Sequence, residues 1–274
     1  MSLYQASDGC RVHYDVVGRG APVMLIPGLG GDGRFWLDVA RHLESAFRLI
    51  MVDHRGAGRS DRPEGGYSLP RLAADMVGIM DQEGLRRAHL VGHSTGGAIV
   101  QLLALDWPGR VLSGTISSSW CRSDTRFRSL FALRRQLLLD GKVEAYQELT
   151  HVLGYTAGWI EAHRRELAEA VSRARLALSP VTVQIARIDM LLDHDVEARI
   201  GRISAPSLVI GAEDDALLPL EYSRRIAEAI PGARLATVGG GHFHPRARPE
   251  PFAGLVRDFL EALKENEQGR TSHG

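Results

Sequence analysis

Short apolar runs at 23–26, 49–52, 90–91, 111–116 and 208–210 are separated by segments with helical periodicity, and this alternation restricts the fold more than any other feature. Short runs of mainly apolar residues suit strands covered on both faces. The intervening patterns at 69–82, 95–106, 220–230 and 251–264 place apolar residues at helical spacing. Strands alternating with helices predict an α/β architecture with a mostly parallel sheet wrapped on both sides. Residues 11–17 alternate like a strand, and Asp8-Gly9 before them is a turn signal, so an N-terminal hairpin arm is expected.

The alternation stops between 122 and 199. Helical patterns at 127–139, 143–153, 159–178 and 181–192 follow one another there with no strand candidate between them. A helical block inserted between two strands of one sheet must lie outside it, most simply as a cap over the strand ends. The expected organisation is therefore a core of residues 1–121 and 200–264, a cap of 122–199, and a polar, disordered tail of 265–274. Arg126, Arg128, Arg134, Arg135, Arg164 and Arg165 stand in the cap. They read first as a solvated helix face and second as counter-charge for an anionic substrate.

With 274 residues, 44% hydrophobic and 24% charged, and a formal net charge of +0, the composition is that of an ordinary soluble globular protein, and a small molecule is the expected partner once the motifs below are read. No basic surface for nucleic acid, membrane span or signal-peptide core is legible, so the expectation is a cytoplasmic monomer or homodimer. Cys10 and Cys121 are far apart and lack metal spacing, which predicts reduced thiols. Asp193-His194-Asp195 is adjacent in sequence, and three consecutive side chains do not converge on one ion. No metal and no cofactor are expected.

Between the apolar Leu90-Val91 and the helical pattern from Thr95 stands Gly92-His93-Ser94-Thr95-Gly96. In a chain with 30 glycines the pentapeptide alone carries little weight; its strand and helix flanks give it meaning. It reads as a nucleophile elbow, a sharp strand-to-helix turn that pushes a serine hydroxyl out at the sheet's edge. A serine needs a base, and His242, in Gly239-Gly240-Gly241-His242 after the strand-like 235–238, is the best placed of the 11 histidines. A carboxylate must hold that imidazole, and Asp214 and Asp215 follow the strand at 208–210. His93 and His244 read as packing neighbours. Trp36 and Trp120 are candidates for the wall of a substrate pocket, with core packing as the alternative.

Taken together, these motifs resemble the α/β-hydrolase superfamily from Arg11 to Leu263. Asp53-His54-Arg55-Gly56-Ala57-Gly58-Arg59-Ser60 looks like the family's loop motif below the site. Asp215 with Pro219 four residues on, and His242 with Pro249 seven on, fit the family spacing, so the resemblance favours Asp215 over Asp214. It also implies oxyanion donors at the backbone N–H groups of Leu29 and Thr95. Pro27-Gly28-Leu29-Gly30-Gly31 through Trp36 resembles the family's His-Gly loop with proline in place of histidine, which removes one bond that could hold the loop. Within the superfamily the chain resembles the Rut-type aminoacrylate (carbamate) hydrolases and the 3-oxoadipate enol-lactonases. Because Ser94 supplies a nucleophile, the expected reaction is cleavage of a small ester or lactone through an acyl-enzyme. Hydrolysis of a C–N bond is the runner-up, ahead of cofactor-free oxygenase or perhydrolase chemistry and non-catalytic binding. Haloalkane dehalogenases and epoxide hydrolases need a carboxylate where Ser94 stands.

Overall fold

A computed structural model describes residues 2–271, without the side chains of residues 177 and 266–271. One eight-stranded sheet runs through it in the order β1-β2-β4-β3-β5-β6-β7-β8. The strands are β1 (Ser2–Gln5), β2 (Arg11–Val17), β3 (Ala21–Ile26), β4 (Phe47–Val52), β5 (Ala88–His93), β6 (Val111–Ser117), β7 (Ser207–Ala212) and β8 (Arg234–Val238). β1 and β2 form the antiparallel arm expected from the Asp8-Gly9 turn, and β2 pairs antiparallel with β4. From β4 onward across the sheet every pairing is parallel.

The helices of this core are α1 (Leu37–Leu43), α2 (Leu69–Gln82) and α3 (Thr95–Asp106), with α10 (Leu220–Ala229), α11 (His244–Ala247) and α12 (Pro249–Thr271) after the insertion. They divide the apolar interior into two layers. Leu72, Met76, Ile99 and Leu103 pack on one face of the sheet, while Val39, Leu43, Phe252, Val256 and Leu260 pack on the other. All of β5 is buried, as is α3 from Thr95 to Ala104, so the Ser94 turn lies between two elements with no solvent face. Helix α12 extends beyond the pattern expected at 251–264. The disordered tail expected at 265–274 lies, from residue 272 on, outside the described residues.

Between β6 and β7 stand helices α4 (Thr125–Leu139), α5 (Val143–Gly154), α6 (Ala157–Ala162), α7 (Arg164–Ser172), α8 (Ala174–Ala177) and α9 (Val181–Leu192). The single segment read at 159–178 is three short helices. The chain breaks at His163, whose ring Nδ1–H donates to the Trp159 carbonyl at 2.9 Å, and again at Arg173. Helical periodicity survives such breaks, so the pattern did not reveal them.

Parallel register brings the strand ends together. Ile26 is level with Gly92, His93 with Ser117, Ser117 with Ile210, and Ala212 with Val238. The loops that leave β3, β5, β7 and β8 therefore open side by side at the carboxyl edge of the sheet, where open α/β sheets bind ligands.

Candidate active site

Ser94 is the first residue beyond β5 and adopts φ 54° and ψ −114°, a positive-φ conformation that non-glycine residues rarely hold. Its neighbours make the turn possible. A Cβ on Gly92 would strike the Gly96 carbonyl, and one on Gly96 would strike the carbonyl of Ile26, so both positions need glycine for space. The strained residue is held from both sides: the Ser94 N–H donates to the Ser117 carbonyl at 2.8 Å, and Ser119 Oγ donates to the Ser94 carbonyl at 2.9 Å. Ser94 is 8% exposed and opens onto a cavity of about 520 Å³.

His242 lines the same cavity, in the loop after β8. Its Nδ1 lies 2.8 Å from Oδ2 of Asp215, and both side chains are buried. An ionised carboxylate only accepts, so this bond holds the ring proton on Nδ1 and leaves the Nε2 lone pair free. The other oxygen of Asp215 accepts from the N–H groups of Leu217 and Leu218 at 2.9 and 2.7 Å, which fixes the carboxylate plane. Asp214 has a different task. Its oxygens accept from Gly240 and Gly241, the latter at 2.8 Å, and so shape the glycine turn that delivers His242.

Two further histidines adjoin His242, and bond directions fix their tautomers. The Nδ1–H of His244 donates to the Gly241 carbonyl at 3.1 Å, so its Nε2 accepts the Ser117 hydroxyl proton at 2.9 Å. Ser117 Oγ in turn accepts from His93 Nδ1 at 3.2 Å. His93 stacks on Phe35 with centroids 5.1 Å apart and lies 4.8 Å from the His242 ring. Burial pushes His244 down to about 4 and His93 well below the ordinary imidazole range, so both are neutral near pH 7. They act as packing neighbours, although His93 also lines the cavity.

The loop from Pro27 to Trp36 passes over Ser94. Leu29 lines the cavity, and the backbone N–H of Thr95 sits at the first turn of α3, where no intrahelical acceptor exists. Replacing histidine by Pro27 leaves the loop well held by other bonds. His54 N–H donates to the Gly31 carbonyl at 2.7 Å, and the buried Asp53 accepts from Gly33 N–H at 2.7 Å while Arg59 pairs with it. From α9, Arg187 donates to the Leu29 carbonyl at 2.6 Å.

Residues 21–244 match the profile of a family described as the alpha/beta hydrolase fold. This chain belongs to the α/β-hydrolase family. A relative at 34% identity over 257 residues, 93% of this hydrolase and 97% of its own length, is a candidate carbamate hydrolase RutD of Azorhizobium caulinodans. Among solved structures, Est816, described as an N-acyl homoserine lactone degrading enzyme, superposes with a TM-score of 0.83 at 28% identity, covering 94% of this chain and 100% of that one. The enol-lactonase of Burkholderia xenovorans LB400 gives a TM-score of 0.85 at 24% identity over 94% and 99% of the two chains, a likeness of fold.

The expectation for the tryptophans needs correcting. Neither Trp36 nor Trp120 reaches the cavity of this hydrolase. Trp36 is fully buried against Phe35 and Phe252, and Trp120 packs on Phe127 with its Nε1–H donated to Ser123 Oγ at 3.1 Å. Both rings turn into the core, where a large aromatic gains most from burial. The cavity's aromatic wall is instead Phe35, Phe131, Tyr146, Tyr155 and Phe243. Its roof includes Arg134, one of the six cap arginines noted in the sequence. Arg187 was not among those six. The signal for it was an arginine within the apolar α9 pattern.

Proposed function

We propose that this hydrolase cleaves a carboxylic ester or lactone through an acyl-enzyme on Ser94. The observation that carries the reading is the buried His242–Asp215 bond of 2.8 Å, set in the same cavity as a serine held at positive φ. His242 Nε2 takes the Ser94 proton as Oγ attacks the carbonyl carbon. The N–H groups of Leu29 and Thr95 receive the oxyanion, each contributing about 3 kcal/mol of transition-state stabilisation. His242 then gives its proton to the departing alkoxide, and a water activated by the same imidazole releases the acid.

Cleavage of a C–N bond is the second reading, supported by the carbamate assignment of the RutD relative. The same groups serve it, with His242 protonating a departing amine.

The test is a rate panel of esters, lactones and carbamates run beside Ser94→Ala, together with labelling by a fluorophosphonate. Hydrolysis should fall by at least about 10³-fold in the variant, and the label should attach to Ser94. A folded Ser94→Ala protein with unchanged turnover would overturn the assignment. A panel led by carbamates would select the second reading.

A further inference from the structure

We infer that Arg134 forms an anion subsite in the roof of the cavity, so that the substrate is an amphipathic monocarboxylate whose reacting carbonyl lies at Ser94 and whose carboxylate lies at Arg134. The inference rests on the acyl-hydrolase reading and narrows its substrate class.

Four of the other cap arginines are engaged elsewhere. Arg126 donates to the carbonyls of Ala216 and Leu217, and Arg128 to those of Ser123 and Leu192. Arg135 pairs with Asp189 at 2.8 Å and Arg164 with Glu161 at 3.2 Å. Arg134 differs from these. It is 5% exposed, lines the cavity, and has no carboxylate within 4.0 Å among the described residues. Its Nη2 donates to the hydroxyls of Tyr146 at 3.1 Å and Thr150 at 3.0 Å, and its Nε has no partner among the described residues. The guanidinium lies 5.2 Å from the Phe131 ring centroid and 4.9 Å from that of Tyr146.

Neutral hydroxyls and ring faces orient a cation and offset part of its desolvation, but they leave its charge uncompensated. Of the cavity's other charged side chains, Arg34 binds Asp32 through two bonds of 3.0 Å, and Arg246 faces Glu166 at 3.8 Å with both side chains about half exposed to solvent. The net field inside is therefore positive at the roof. One guanidinium neutralises one negative charge, which suits a carboxylate and would leave a phosphate dianion under-compensated. The volume of about 520 Å³ and the walls of Phe131, Tyr155, Leu178, Leu217 and Phe243 call for an apolar body between the two ends.

The probe is a matched pair, the 4-nitrophenyl monoester of suberic acid with its far carboxylate free, and the same compound with that carboxylate methylated. The wild-type protein should favour the free acid by on the order of 10- to 100-fold in kcat/KM, the range expected of a charged hydrogen bond. Arg134→Met should bring the ratio near one by slowing the anionic ester alone, and Arg134→Lys should recover part of the preference. Calorimetry with monomethyl suberate in a Ser94→Ala background, with and without Arg134→Met, reads the subsite without chemistry. A wild-type ratio at or below one, or equal losses on both esters in an Arg134→Met protein of native circular dichroism, overturns the subsite. If neither ester is cleaved while Ser94→Ala binds the anion through Arg134, the subsite stands and the acyl-hydrolase reading fails.

Discussion

The floor and the roof of the cavity are built by different rules. The floor is the carboxyl edge of the sheet, where Ser94, Asp215 and His242 each follow a strand by a few residues and are fixed by backbone bonds. The roof is a set of short helices whose side chains meet each other, as Arg134 meets Tyr146 and Thr150 across α4 and α5. It also exposes more apolar surface. Leu133, Leu139 and Val152 are at least half exposed on these helices, whereas β5 and α3 beneath them are almost wholly buried. A floor with no slack suits steps that need fixed geometry. A roof assembled from side chains can change its preferences without disturbing that geometry.

The sharpest break of this comparison is at the paired acids of the floor. Asp215→Asn should lower kcat on the order of 10⁴-fold, because an amide in that place can donate to Nδ1 and invert the tautomer. Asp214→Asn keeps an acceptor for the glycine turn and should cost less than about tenfold. Stopped-flow or steady-state rates on one ester separate the two, and equal losses would mean that adjacency, not the His242 bond, sets their weight.

Arg187 is among the residues that join roof to floor. Arg187 on α9 is fully buried, pushed down to about 10 by desolvation, and holds the Leu29 carbonyl. Arg187→Met should lower kcat by roughly 10- to 100-fold while leaving KM near its original value, since what loosens is the loop carrying the proposed Leu29 oxyanion donor. A rise in KM alone would make Arg187 part of the roof only. Binding of a boronate transition-state analogue should weaken in parallel with kcat.

The smallest effect is on stability. His244 is neutral when folded and titrates at about 4, whereas an unfolded imidazole takes its proton at about 6.5. The unfolded chain thus binds more protons between these values, so stability is complete above pH 6.5 and falls as pH drops toward 4. His93 adds to the loss in the same direction. Urea midpoints measured from pH 7 to pH 4 should fall, and His244→Asn should flatten that slope while lowering the midpoint at pH 7. A midpoint independent of pH across this window would contradict buried neutral histidines on the floor.

Much of the floor was legible in the chain because its signals are local. Gly92 is required by the Gly96 carbonyl four residues on, the glycines flank Ser94 in one pentapeptide, and the strands leading to Ser94, Asp215 and His242 are short segments whose parallel pairing aligns their ends. The choice between Asp214 and Asp215 depended on family spacing until the bond to His242 distinguished their directions. In the roof, periodicity located the helical insertion but not the breaks at His163 and Arg173, nor which arginine faces inward.

The sequence by itself determined the α/β alternation, the helical insertion and the serine turn, because each is carried by a residue pattern within a short stretch of the chain. Tertiary structure alone decided that Trp36 and Trp120 belong to the core, that Arg187 pins the Leu29 loop, and that Arg134 faces the cavity with no counter-ion among the described residues. Those outcomes depend on how distant elements rotate against one another, and a helix turned by the roughly 100° between successive residues exchanges a buried side chain for a solvated one.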